Sequence, residues 1–220
     1  MTRTNRLLGV MRRLVSVYSP PLSVQLVDRY GPDPFLVLIA CLLSLRARDV
    51  LTEKIVHKLF ALIKTPKQLC AFPLGELEAI IRPLGMYRRR AVVLKGVSCQ
   101  LVSDFGGQVP RTEQELLSLD GVGRKTAQLV LGEAFGLPAL CVDTHVHRIA
   151  NHLGLVKTKT PAQTEAALKK LFAPEQWRDV YHMLLIWGQQ VCKSGKKTCV
   201  CRKVLRDAGL EWPTRELTLQ

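Results

Sequence analysis

Two short stretches of this chain hold side chains able to do covalent chemistry. In LSLDGVGRKTAQLVLGEAF (residues 117–135), the turn Asp120-Gly121-Val122-Gly123 is followed by Arg124 and Lys125 and then by an apolar run. A glycine turn that opens a helix is an ordinary phosphate cradle. The glycines accept positive φ and close approach, and the helix aims free N–H groups and its positive dipole end outward. Lys125 is out of place in a simple cradle. In the first helical turn, beside Arg124 and partly withdrawn from water, an ammonium is disfavoured and its pKa is expected to fall. The neutral amine is a nucleophile. A solvated lysine that merely touches phosphate is the other reading, and the residues alone leave both open.

The second stretch is CVDTHVHRIANHLG (residues 141–154), where Asp143, Thr144, His145 and His147 stand before an apolar helix containing Ile149 and Leu153. Asp143 suits an N-cap, accepting hydrogen bonds from open backbone N–H groups. It equally suits a carboxylate facing Lys125, and the two roles are compatible. His145 and His147, one residue apart, do not share a helix face, so a metal pair is not expected there.

The elements that must position these groups read as helices almost throughout. Apolar residues recur at three and four positions in 51–63, 74–81, 91–102, 113–119 and 162–172, with no convincing period-two alternation. Breakers such as Pro20-Pro21, Gly31-Pro32, Pro73, Gly106-Gly107, Pro110 and Pro161 separate them. Thr65-Pro66, Thr112 with Glu115, and Thr160-Pro161 mark helix starts. The expected class is all-α, from about ten short helices. FLVLIACLLSL (residues 35–45) is too short for a membrane span, which needs about 20 residues, and reads as a buried core helix. The Arg-rich start resembles a transit peptide in composition, but Leu7, Leu8, Met11, Leu14 and Val15 form one stripe of an amphipathic helix.

A formal charge of +14 on 220 residues points to a polyanionic partner, without choosing among DNA, RNA and lipid. Seven cysteines, an odd number, argue against a secreted disulfide framework and for a reducing compartment.

Together the residues resemble the helix–hairpin–helix DNA glycosylases, and within them the endonuclease III family. LDGVGRKTA is similar to the family hairpin and VDTHVHR to its catalytic-aspartate segment, at the expected interval. PFLVLIACLLSLRARD, IRPLGMYRRRA and HMLLIWGQQVC resemble further family segments, so the likeness covers nearly the whole chain. The first residues fall on the family's first helix, which speaks against a cleaved presequence.

The resemblance implies two helical domains: residues 27–137 as a six-helix barrel ending in the hairpin, and residues 1–26 with 138–220 as the second. Lys125 and Asp143 would be catalytic, on opposite walls of a cleft that receives a nucleotide swung out of the duplex. Gly121, Val122, Gly123, Arg124 and His145 would contact DNA, with Arg46 and Met86 as wedges filling the vacated space. The implied activity is a bifunctional glycosylase and abasic-site lyase acting on oxidised pyrimidines. Its partner is double-stranded DNA with damaged bases or abasic sites, not a membrane. A monomer in the cytoplasm, associated with the nucleoid, is expected. A same-fold glycosylase with another base preference, or a non-catalytic DNA-binding protein, are the alternatives.

Three departures from the family stand out. Arg46 replaces a glutamine common there, and Asp120 a proline usual before the first hairpin glycine. The family also holds a 4Fe–4S cluster on four cysteines. Here Cys192 and Cys199 keep the first interval, but only Val200 separates Cys199 from Cys201 and no cysteine follows. Asp207 falls where a fourth ligand would come. Such clusters want four thiolates, so a lost or labile cluster is expected, and the lyase chemistry needs no cofactor. Lys193, Lys196, Lys197, Arg202 and Lys203 around this loop are expected to keep a grip on phosphates.

Overall fold

The computed structural model describes residues 3–193, 200–207 and 209. Among them no strand occurs. In chain order the α-helices are α1 (Arg3–Val15), α2 (Leu22–Tyr30), α3 (Pro34–Ser44), α4 (Asp49–Leu62), α5 (Pro66–Ala71), α6 (Leu74–Ile81), α7 (Tyr87–Asp104), α8 (Glu113–Ser118), α9 (Arg124–Leu129), α10 (Thr144–His152), α11 (Pro161–Leu171), α12 (Trp177–Ile186) and α13 (Cys201–Asp207). Two π-helical turns, Val130–Ala134 and Trp187–Val191, continue α9 and α12. The chain forms two compact units, residues 22–137 and residues 1–21 with 138–220.

The first of these is organised around α3. Its residues from Phe35 to Leu43 are all buried, so this helix has no solvent face, as an apolar run without polar periodicity requires. Asp33 starts it, its side chain accepting from the Leu36 N–H at 2.9 Å, and Pro34 sits at the first helical position. α2, α4, α7, α9 and the π turn after α9 pack on it. α7 buries Arg90, Ala91, Leu94, Val97, Ser98 and Leu101, a stripe at the helical period. Each fully buried Leu or Val contributes roughly 1.5–3 kcal/mol.

A six-residue helix such as α5 is marginal alone and needs tertiary fastening. Thr65 and Gln68 close a capping box at its start. At its end Lys95 of α7 donates to the Cys70 carbonyl at 2.7 Å and to that of Phe72. A disulfide, Cys70–Cys99, ties the same two helices, with the Cα atoms 4.8 Å apart. The odd cysteine count spoke against a secreted disulfide framework, and it did not foresee this bond. Cysteine number says nothing of two residues brought face to face by helix packing.

In the other unit α1 packs on α12 and α13. It buries Leu7, Leu8, Met11 and Val15, while Leu14, expected on the same stripe, is exposed at its edge. α10 lies so close to the second π turn that a Cβ on Gly188 would stand 2.8 Å from the His145 Cβ. His147 Nδ1 and Thr158 Oγ1 both pair with Thr164 Oγ1, at 2.6 and 2.5 Å, and Asn151 Oδ1 accepts from the Thr158 N–H at 2.8 Å. This polar network fixes the loop that follows α10.

Candidate active site and nucleic-acid interface

The hairpin joins α8 to α9. Thr112 caps α8, accepting from the Glu115 N–H at 3.3 Å, and the Val122 N–H closes the turn onto the Leu119 carbonyl at 3.0 Å. Gln100 of α7 holds the turn from behind. Its amide donates to the Ser118 carbonyl at 3.1 Å, and its oxygen accepts from the Asp120 N–H at 3.2 Å. Only one of the two glycines uses positive φ. Gly121 has φ +81°, and a Cβ there would lie 2.6 Å from Val93 Cγ1. Gly123 is extended at φ −96°, and a Cβ there would meet nothing within 4 Å. The fold therefore needs the first glycine, and the second leaves room for something outside it. Val122, expected to touch DNA, is buried.

Arg124 Nε approaches Glu113 Oε1 at 3.4 Å on the exposed side of the hairpin. Lys125 is the second residue of α9 and is exposed, whereas Thr126 to Leu129 behind it are buried. The expected partial burial of Lys125 is thus corrected: its side chain is exposed. Its charge is still felt inside the unit. Burial pushes the Cys41 thiol on α3 up to about 12, Lys125 opposes that rise, and Glu133 on the π turn reinforces it. Cys41 stays a neutral thiol at neutral pH and offers no competing thiolate.

Arg46 and Met86 share a feature that sequence could not show. Among the described residues they alone have positive φ without being glycine, at 56° and 47°. Each such residue stores about 1–2 kcal/mol of backbone strain. Both are exposed, and they line one cavity of about 330 Å³ together with Gly121. Arg90, not singled out by sequence, sets both turns. Its guanidinium donates to the Gly85 carbonyl at 3.0 Å and to those of Leu42, Leu43 and Leu45 at 3.3, 3.2 and 2.6 Å. It thereby satisfies the open carbonyls ending α3, just before Arg46, and the one just before Met86. Burial lowers its pKa from the usual arginine value.

In the unit of residues 1–21 and 138–220, Asp143 is the N-cap of α10. One carboxylate oxygen accepts from the His145 and Val146 N–H groups, both at 2.9 Å. The cap holds the carboxylate in one orientation. His145, half-buried beside Gly188, follows it on the first turn.

The C-terminal cysteines show a second correction. Cys192 and Cys201 are buried, and their sulfurs lie within 4.8 Å of each other and of a ring nitrogen of His152. Asp207, expected as the further ligand, is exposed and not part of this group. Cys199, Lys196 and Lys197 lie outside the described residues, as does the side chain of Arg202; Lys193 and Lys203 are exposed. His152 escaped the sequence reading because it lies 40 residues before Cys192.

Residues 39–174 match the model of the HhH-GPD superfamily of base excision DNA repair proteins. The chain is 47% identical to endonuclease III of Thermotoga maritima over 167 residues, covering 76% of this chain and 78% of that protein. Against endonuclease III of Bacillus subtilis the identity is 38%, covering 76% and 77%. A solved non-covalent endonuclease III–DNA complex superposes with a TM-score of 0.80 at 32% identity, covering 95% of this chain and 97% of that one. A trapped endonuclease III–DNA covalent intermediate gives 0.78, also at 32%, covering 95% and 98%. The chain belongs to the endonuclease III family of helix–hairpin–helix base excision repair proteins.

Proposed function

We propose that this bifunctional DNA glycosylase and AP lyase of base excision repair uses Lys125 as its nucleophile and Asp143 as the carboxylate that serves it. Its substrates on this reading are oxidised pyrimidines and abasic sites in double-stranded DNA. The observation that carries the assignment is Lys125 itself: an exposed amine set at the second position of α9 by a turn that only glycine can make. A relative caught as a covalent intermediate with DNA supports a nucleophile of this kind.

Free lysine is protonated at neutral pH, and only the neutral amine attacks. Because Lys125 is exposed here, the extruded nucleotide supplies the desolvation, closing over the amine as it enters. Nζ bonds to C1′ while the glycosidic bond breaks and the base leaves with a proton. The C1′–O4′ bond then opens, O4′ taking a proton as the nitrogen lone pair forms the Schiff base; this acidifies the C2′ proton, and its loss expels the 3′ phosphate by β-elimination. Asp143, oriented by two N–H groups, takes up the amine proton or offsets positive charge at C1′. Gly121 to Arg124 grip the backbone, and Arg46 and Met86 occupy the space the nucleotide leaves. His145 completes the DNA face.

The family's 4Fe–4S cluster does not fit the donors present. It wants four thiolates, whereas the sequence after residue 191 supplies three cysteines and the described residues bring an imidazole to two of them. No step above passes through it. The protein acts as a monomer on intracellular DNA.

Borohydride reduction during turnover tests the assignment. Wild type is expected to yield a covalent complex with abasic and thymine-glycol duplexes, and Lys125→Ala none. A trapped complex surviving in Lys125→Ala removes Lys125 from the mechanism. Asp143→Asn is expected to lose base excision by at least about 100-fold while duplex binding persists. Incision of uracil or A·8-oxoguanine duplexes in preference to thymine glycol would overturn the substrate assignment.

A further inference from the structure

The geometry points to a mononuclear metal site of His152, Cys192 and Cys201, taking a zinc-class divalent cation in place of the family's iron–sulfur cluster. Three donor atoms of three residue positions, all within 4.8 Å of one another, converge from separate segments. His152 ends α10, Cys192 follows the second π turn, and Cys201 opens α13. One tetrahedral zinc ion, with sulfur at about 2.3 Å and nitrogen at about 2.0 Å, needs its donors slightly closer than this. A small inward shift of the side chains supplies that. Cluster thiolates each bind a different iron and spread wider than ligands of one ion.

The surroundings suit thiolates. The Trp187 indole N–H donates to Cys201 Sγ at 3.0 Å, with both residues buried. Arg148 directs one guanidinium nitrogen at Cys192 Sγ, at 3.7 Å, and locks itself by donating to the Gly188 and Cys192 carbonyls at 2.9 and 2.8 Å. N–H donors aimed at sulfur orient it, which is what the outer shell of a thiolate site does. Binding would release the two thiol protons. Two thiolates and a neutral imidazole then balance the dication, so the buried group is neutral. A structural zinc ion takes four ligands, leaving one position for water or another donor. Such a site pins the start of α13 to the end of α10, a structural role.

The test uses the full-length protein expressed with both iron and zinc supplied. Metal analysis is expected to find about one zinc per chain and no acid-labile sulfide. Cobalt exchange should give thiolate charge-transfer and tetrahedral ligand-field bands. His152 is half-buried, so His152→Gln leaves the core intact; it and Cys201→Ser should each cut bound zinc at least tenfold. Trp187→Phe keeps every ligand and should weaken zinc about tenfold in chelator competition. A sulfide-containing four-iron cluster, a Cys192–Cys201 disulfide, metal-free protein, or zinc unaffected by His152→Gln would each overturn the site. Borohydride trapping on abasic DNA, measured on the same samples, reports separately on Lys125.

Discussion

At the scale of the residue, the two hairpin glycines separate a folding requirement from a binding one. Gly121→Ala puts a Cβ at positive φ and 2.6 Å from a methyl of Val93, whose β-branched side chain has little freedom to turn aside. Strain and overpacking together should cost about 2–4 kcal/mol. Gly123→Ala meets open space at an ordinary φ, so its cost should stay within about 1 kcal/mol, mostly from a poorer N-cap. If the turn grips phosphate, Gly123→Ala should nonetheless weaken duplex binding, since its methyl stands where the backbone must approach. Thermal melting and duplex affinity on the two variants check this. Equal effects on both quantities in both variants would dissolve the distinction. The sequence showed a turn with two glycines, but which of them the fold requires depends on Val93, which lies 28 residues earlier.

At the scale of the element, legibility followed locality. Helices whose start depends on neighbouring residues were readable. Thr65, Thr112 and Thr160 each accept from the backbone N–H three residues on, and the stretch 74–81 is a helix to the residue. What depends on distant segments was not. The π turns after α9 and α12 leave no sequence signal, since their residues would continue an α-helix equally well. Asp143 was legible as an N-cap and Lys125 as a residue at a helix start, whereas the exposure of Lys125 is a property of the folded chain. Arg90 is the clearest case. In the run Tyr87-Arg88-Arg89-Arg90 nothing marks the third arginine, yet it alone among them is buried. Its fork meets carbonyls just before Arg46 and just before Met86, a geometry one ammonium cannot reproduce. Arg90→Lys should therefore cost about 3 kcal/mol or more, from carbonyls left unpaired. The same variant should blunt extrusion of a 2-aminopurine probe in duplex DNA while retaining helical content. Undiminished extrusion would show that Arg46 and Met86 do not need this support.

At the scale of the whole molecule, the surplus of +14 sets how the protein meets its substrate before any base is examined. Phosphate contacts release condensed counterions, so affinity falls with salt at a log–log slope of about −0.9 per contact. On the proposed function the hairpin backbone, with Arg124 and the exposed Lys193 and Lys203, supplies several such contacts. With about six of them, binding to undamaged duplex should drop roughly 1000-fold between 50 and 200 mM salt. Chemistry at a bound abasic site involves neutralisation at one carbon rather than release of counterions, so the single-turnover rate should change little over that range. The two measurements divide the charge between its roles. Arg124→Gln should lower the slope by about one and weaken binding alike on damaged and undamaged duplex, because a backbone contact carries no base information. An Arg124→Gln protein with unchanged slope but altered preference for thymine glycol over uracil would instead place this arginine at the base, and the hairpin would have to be read as part of the specificity pocket.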